Sequence, residues 1–123
     1  MIQHIVLVKW KPGVTDEQIE AAFAQAERLT EGIDVVSDVT LGRNRGPDDH
    51  GFTHALIVHI SRDDALAEYL DHPIRKEYVA DCLQPLEDQR IEVDVPVDMA
   101  MRREPARNWE WGASVGMGVL PEE

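Results

Sequence analysis

A chain of 123 residues carrying 24 acidic and 12 basic side chains, with a formal net charge of −12, has the length of one ordinary domain and repels both phosphate backbones and anionic lipid surfaces, so nucleic acid and membranes are excluded as partners. No apolar run approaches the roughly 20 residues that a membrane helix needs, and the first residues enter a strand pattern with no charged and then apolar leader before it. The single cysteine, Cys82, has no partner for an intramolecular disulfide and reads as a small buried hydrophobe, which makes the cytoplasm the expected location.

Ile2 to Trp10 opens the chain with apolar residues on both parities, Ile2, Val6, Val8 and Trp10 on one side and Ile5 and Leu7 on the other, the signature of a strand buried on two faces. Lys11-Pro12-Gly13 breaks it. Thr15 with Gln18 three residues later predicts a capping box, followed by a single helix that turns Ile19, Ala22, Phe23, Ala26 and Leu29 inward and ends near Gly32. Val35 to Leu41 reads as a second strand closed by Gly42, and Arg43 to Gly51 as a charged, turn-rich loop. Phe52 to Ile60 is the third strand. Ser61 and Asp64 resemble a capping pair before a second helix with Ala65, Leu66, Tyr69 and Leu70 on its apolar side. Pro73 suits the first turn of a further helical piece capped by Asp71 or His72, and Pro85 ends it. In the last strand Ile91, Val93, Val95 and Val97 alternate with Glu92, Asp94 and Pro96, the proline demanding an edge or a bulge.

The order strand, helix, strand, strand, helix, strand is the α+β, ferredoxin-like βαββαβ arrangement, a four-stranded antiparallel sheet with its helices on one face. Two helices cover one face only, whereas strands one and three are apolar on both. The uncovered face predicts a homodimer packed sheet against sheet, because burial contributes about 25 cal/mol for each Å² of apolar area. The domain is expected to span residues 1–98. Residues 99–123, with Trp109 and Trp111, lack periodicity and read as a tail or arm, partly disordered, laid on the dimer surface, or using its two tryptophans to lid a pocket or clasp the partner.

Several short motifs then point to one family: His4 in the first strand, Lys11-Pro12-Gly13 after it, Leu41-Gly42-Arg43-Asn44 after the second, Gly51-Phe52-Thr53-His54 opening the third, Tyr69-Leu70-Asp71-His72-Pro73, and Asp94 in the fourth. Their order and spacing resemble the stress-responsive dimeric α/β-barrel domain, Dabb, from about Met1 to Val97. The resemblance implies a homodimer whose two sheets pair into a barrel. Members of that family include plant stress proteins without an assigned reaction and a plant polyketide cyclase in which a tyrosine and a histidine flank a pocket between sheet and helices. The cyclase residues correspond to His4, His54, Tyr69 and His72. The cyclase's proposed general base, a second histidine three residues after the one that matches His72, is replaced by Arg75, which stays protonated and accepts no proton.

On this reading His4 and His54, in neighbouring central strands, and Tyr69 are the candidate catalytic residues, with imidazoles able to act near neutral pH and a phenol able to donate to a developing enolate. The competing role for both histidines is that of buried polar groups, and for Tyr69 core packing. Arg75 is a candidate for binding a substrate carboxylate or phosphate, or else pairs with Asp71; His72 is a candidate substrate contact, or else a helix cap. His59 has the opposite parity to His54 and belongs on the other sheet face. His50 beside Asp48 and Asp49 lacks a distant partner, so no metal is expected, and no residue calls for haem or another cofactor. Two functions follow: a protein that binds a small hydrophobic or carbonyl-bearing molecule between sheet and helices, with cyclase- or isomerase-type acid–base chemistry, or a non-catalytic homo-oligomeric stress or scaffold protein.

Overall fold

A computed structural model describes residues 1–97; Trp109, Trp111 and the rest of the expected tail lie outside them. Strand β1 (Ile2–Trp10) is followed by helices α1 (Asp16–Ala24) and α2 (Glu27–Gly32), strands β2 (Val36–Arg43) and β3 (His54–Ile60), helices α3 (Leu66–Leu70) and α4 (Pro73–Tyr78), and strand β4 (Glu87–Pro96). The sheet is antiparallel in the order β2-β3-β1-β4, so β1 and β3 form the expected central pair. Even-numbered residues of β1 and β3 lie under the helices: Ile2, Val6, Val8, Leu56, Val58 and Ile60 pack there with Leu29, Ile33, Tyr78 and Leu83. Odd-numbered Ile5, Leu7 and Ile57 occupy the opposite face, in register with one another and with Ile91 and Val93. No helix among the described residues is long and apolar enough to cross a membrane.

Local chemistry sets most boundaries. Thr15 and Gln18 form the reciprocal capping box of α1, two of the otherwise unpaired N–H groups of the first turn being satisfied at once. His72 caps α4, accepting the Ile74 N–H on Nδ1 at 3.1 Å, with Pro73 in the first turn.

Four details differ from the sequence expectation. The single first helix is two: the Ala26 N–H bonds back to Phe23 rather than a full turn, a tightening that seats fully buried Ala26 and Leu29 against the sheet. A bulge between Val36 and Asp38 moves Val39 and Leu41 to the same side as Val36, where strict alternation would oppose them. Ser61 and Asp64 form no capping pair: the Asp64 carboxylate accepts from Arg62 Nε at 3.1 Å, and a 3₁₀ turn over Asp63–Ala65 precedes α3 without a side-chain cap. Finally, β4 begins at Glu87 rather than near Ile91, its first residues pairing with Lys9 and Trp10 across a register shift. Pro96 stands at the end of this edge strand, as its missing N–H requires.

Candidate functional site

His4 sits in the middle of the helix-facing row of β1 and is only 1% exposed. Its partner across the antiparallel ladder is Asp94 of β4, and directly opposed residues put their side chains on the same face within reach of each other. The His4 Nδ1 lies 2.6 Å from Asp94 Oδ1. A carboxylate only accepts, so Nδ1 carries the proton and donates it, and a neutral ring presents its lone pair on Nε2. That nitrogen faces Glu92, the next inward residue of β4, at 3.7 Å.

Two helices close over this pair. Tyr69 of α3 meets the His4 ring edge-on, with centroids 5.3 Å apart and planes at 60°, and is itself buried. Burial pushes its phenol up to about 12, against the opposing pull of the Arg75 charge, so it is a proton-bearing donor throughout the physiological range. Arg75 of α4 lies 5.9 Å from the Tyr69 ring centre and donates from Nη2 to both oxygens of Glu92 at 3.2 and 3.3 Å. The expected alternative pairing with Asp71 is thus replaced by one across to the sheet. Arg90 Nε approaches the same carboxylate at 3.1 Å. Arg75 Nε and Arg90 Nη1 are buried with no hydrogen-bond partner among the described residues, an uncommon state for guanidinium nitrogens.

His54 is elsewhere. It pairs with Val8, four positions along β1 from His4, a separation of about 13 Å at strand rise, so the two histidines do not meet. Its ring contacts Trp10 and Phe23 edge-on at 5.6 Å each, and its pKa is lowered by burial and then by the charge of Arg43, its cross-strand neighbour, with Asp16 opposing. It lines a cleft of about 240 Å³ with Ile19, Phe23 and Arg43. His72 is committed to capping α4, which is the role the geometry carries for it. His59 lies on the uncovered face and bonds Thr40 through Nε2 at 3.2 Å, as parity required. Cys82 packs at the edge of the core, its thiol pushed up by burial. Among the described residues no group of three or more His, Cys, Asp or Glu is placed to hold a metal ion.

Asp94 and Glu92 are the site residues that inspection of residue types undervalued. In the sequence they are the polar half of an alternating strand, and only the β1–β4 register brings one of them against His4.

A family model for the stress responsive A/B barrel domain matches residues 2–97. The chain belongs to that family. Solved structures share the Dabb fold at low identity: a dimeric ferredoxin-like protein of unknown function from Thermobifida fusca, at 24% identity and TM-score 0.66 over 78% of this chain and 90% of that one; a hydroxynitrile lyase from Passiflora edulis, at 18% and 0.71 over 82% and 96%; and SnoaB, a cofactor-independent oxygenase from Streptomyces nogalater, at 14% and 0.64 over 83% and 97%. No curated protein matches the chain. The Dabb match ends at residue 97, where the described residues end.

Proposed function

We propose that this Dabb protein binds a small hydrophobic or carbonyl-bearing molecule between the sheet and helices α3 and α4, and moves a proton on it, with His4 as the acid–base group, Asp94 holding its ring, and Tyr69 donating to the oxygen on which charge develops. The observation that carries this reading is the 2.6 Å contact between the buried His4 and Asp94. It gives the chain an oriented imidazole although Arg75 occupies the position of the cyclase's second histidine, so the missing proton acceptor has a replacement within the same cluster. Arg75, anchored on Glu92 and standing over Tyr69, contributes positive charge on the side where an enolate or carboxylate would lie. That relatives of the same fold are named as a lyase and as a cofactor-independent oxygenase supports a small-molecule reaction.

The protein acts as a homodimer joined through the uncovered sheet face. Ile91, Val93, Val95 and Val97 are 37% to 45% exposed in the single chain and continue the row formed by Ile5, Leu7 and Ile57. A contiguous apolar surface of this kind is stable in water only when covered, and the T. fusca relative is described as dimeric.

The test is exchange of α-protons for deuterium in a panel of small β-diketones, followed by proton NMR. Exchange faster than in buffer, abolished by His4→Ala and reduced by Tyr69→Phe, is expected; equal rates with wild-type protein and His4→Ala overturn the acid–base role. A second reading, the non-catalytic homo-oligomeric stress or scaffold protein, draws on the burial of His4 and Tyr69, 1% and 2% exposed, which is also what core packing produces. It predicts exchange no faster than in buffer for the wild-type protein with every diketone, and a loss of stability in the same variants.

A further inference from the structure

Leu41 is 40% exposed, and the proposed dimer does not account for it. The other exposed large apolar side chains are Met1 at the terminus and the outward row Ile91, Val93, Val95 and Val97 at the opposite edge of the sheet. Leu41 instead stands opposite Leu56, and Val39 opposite Val58, both of which are buried on the helix side; directly opposed residues share a face. The bulge after Val36 thus turns two apolar side chains of edge strand β2 toward the helices, but the helices cover Val39 only in part and leave Leu41 open to solvent. Over them lies a groove of about 360 Å³, walled on its far side by Ala26 and Thr30 at α2.

The groove selects its occupant. Its floor is apolar, and the exposed carboxylates of Glu27 and Asp38 border it. Neither is ion-paired among the described residues. The complement is a pair of large apolar groups with positive charge beside them. Val39 and Leu41, two residues apart on a strand, form one stripe, which an extended segment with two such groups at the same spacing matches.

The chain supplies that segment. Beyond Val97, Arg102, Arg103 and Arg107 are followed by Trp109 and Trp111, the tryptophans at the spacing of Val39 and Leu41. The starting point is within reach. Val97 donates its N–H to the Met1 carbonyl at 2.9 Å, beside the row of Pro96, Ile2, Ile60 and Val36 that crosses the end of the sheet. From there Leu41 lies three strands across and, by the Ile60-to-Leu56 pairing, four residues along, about 20 Å in all. The stretch from Val97 to Trp109 spans up to about 40 Å when extended.

We propose that residues 107–111 dock in this groove of their own protomer, with Trp109 and Trp111 against Val39 and Leu41 and Arg107 against the Glu27–Asp38 rim. The docked segment completes the packing beside β2 and covers a sheet edge that would otherwise be free to pair with another strand. It uses neither the His4 cluster nor the outer sheet face.

Two measurements on the full chain test the docking. In methyl-labelled protein, nuclear Overhauser contacts are expected from the Trp109 and Trp111 indoles to the Val39 and Leu41 methyls, and isotope-filtered spectra of mixed labelled and unlabelled protein are expected to show none of them between protomers. Trypsin cleavage after Arg107, followed by mass spectrometry, is expected to be at least about tenfold faster in Trp111→Ser and in Leu41→Ser, since cleavage of a docked segment tracks its open fraction and tenfold corresponds to about 1.4 kcal/mol. Glu27→Arg, which loses an exposed ion pair, should raise the rate by about twofold to fivefold. Trp111→Ser leaves residues 1–97 untouched, so it decides the matter should Leu41→Ser unfold the sheet. Equal cleavage in the wild-type protein and Trp111→Ser, the absence of any indole contact to Leu41, or contacts to it found only between protomers would each overturn the proposal.

Discussion

Replacing Asp94 by Asn tests the contact on which the proposed chemistry rests. The substitution keeps size and an acceptor oxygen but removes the charge facing His4 Nδ1 at 2.6 Å. A hydrogen bond to a charged group contributes about 1.5–3 kcal/mol net and a neutral one about 1, so Asp94→Asn should destabilise by about 1–2 kcal/mol. With a urea dependence of roughly 1–3 kcal/mol per molar for a small domain, the midpoint should fall by about 0.3–2 M. Urea unfolding followed by tryptophan fluorescence at fixed protomer concentration measures it, the concentration being held because dimer stability follows mass action. Since the Asp94 charge also acts on Tyr69, the decisive number is the coupling in a cycle with His4→Phe, where Asp94→Asn should cost almost nothing. Coupling below about 0.5 kcal/mol, the scatter of independent sites, would refute the claim that Asp94 holds His4. Because Asp94 positions His4 in the proposed site, Asp94→Asn should also lower the exchange rate of a diketone at saturation while leaving its binding constant nearly unchanged, a split that a purely structural role does not produce.

Val93→Asp places a carboxylate in the middle of the uncovered face, opposite Ile5; an unpaired charge buried at an interface costs about 3–5 kcal/mol, so sedimentation velocity should show monomer at concentrations where the wild-type protein is dimeric, and an unchanged dimer would place the interface elsewhere. Thr15→Ala removes half of the α1 capping box and should cost about 1 kcal/mol in urea unfolding, with no effect on ligand binding. Because the folded pKa of His54 is lowered from 6.5, the unfolded chain binds the proton more readily; its contribution is complete above pH 6.5 and is lost as the pH falls from there through the folded value. The urea midpoint should therefore drop on acidification below pH 6.5, with a shallower slope in His54→Gln; an equal slope would assign the effect to other groups.

How much of this was legible beforehand depended on whether the information was local. The capping box at Thr15, the proline-started α4 with its His72 cap, and the ends of β1 follow from residues within a turn of one another. The break after Ala24 did not, because Gln25 and Ala26 are ordinary helix formers and the tightening there answers to the sheet beneath Ala26 and Leu29. Nor did the bulge near Ser37, a one-residue insertion whose effect appears only against β3. At the site, residue type nominated His4, Tyr69 and Arg75, but type alone also grouped His54 with them. Separating the two required register: His4 faces Val58 and Asp94, whereas His54 faces Val8 and Arg43.

Strand β4 ties these observations together, because its amphipathicity is inverted. Arg90, Glu92 and Asp94 point under the helices while Ile91, Val93 and Val95 point away from them, the reverse of what a strand of an isolated domain would do with the same residues. A slip of one residue would put the valines under α3 and α4 and the carboxylates on the proposed dimer face, which would suit a monomer and abolish the His4–Asp94 contact. On the proposed reading this register leaves the outer face for the partner subunit and the inner one for the site. Its polar side is fixed to the rest of the chain at two points, by Asp94 on His4 and by Glu92 between Arg75 and Arg90. The proposed assembly and the proposed site would then be two faces of one edge strand, and Val93→Asp and Asp94→Asn, adjacent in sequence, should separate them: the first should cost assembly before the His4 contact, the second the contact without the assembly.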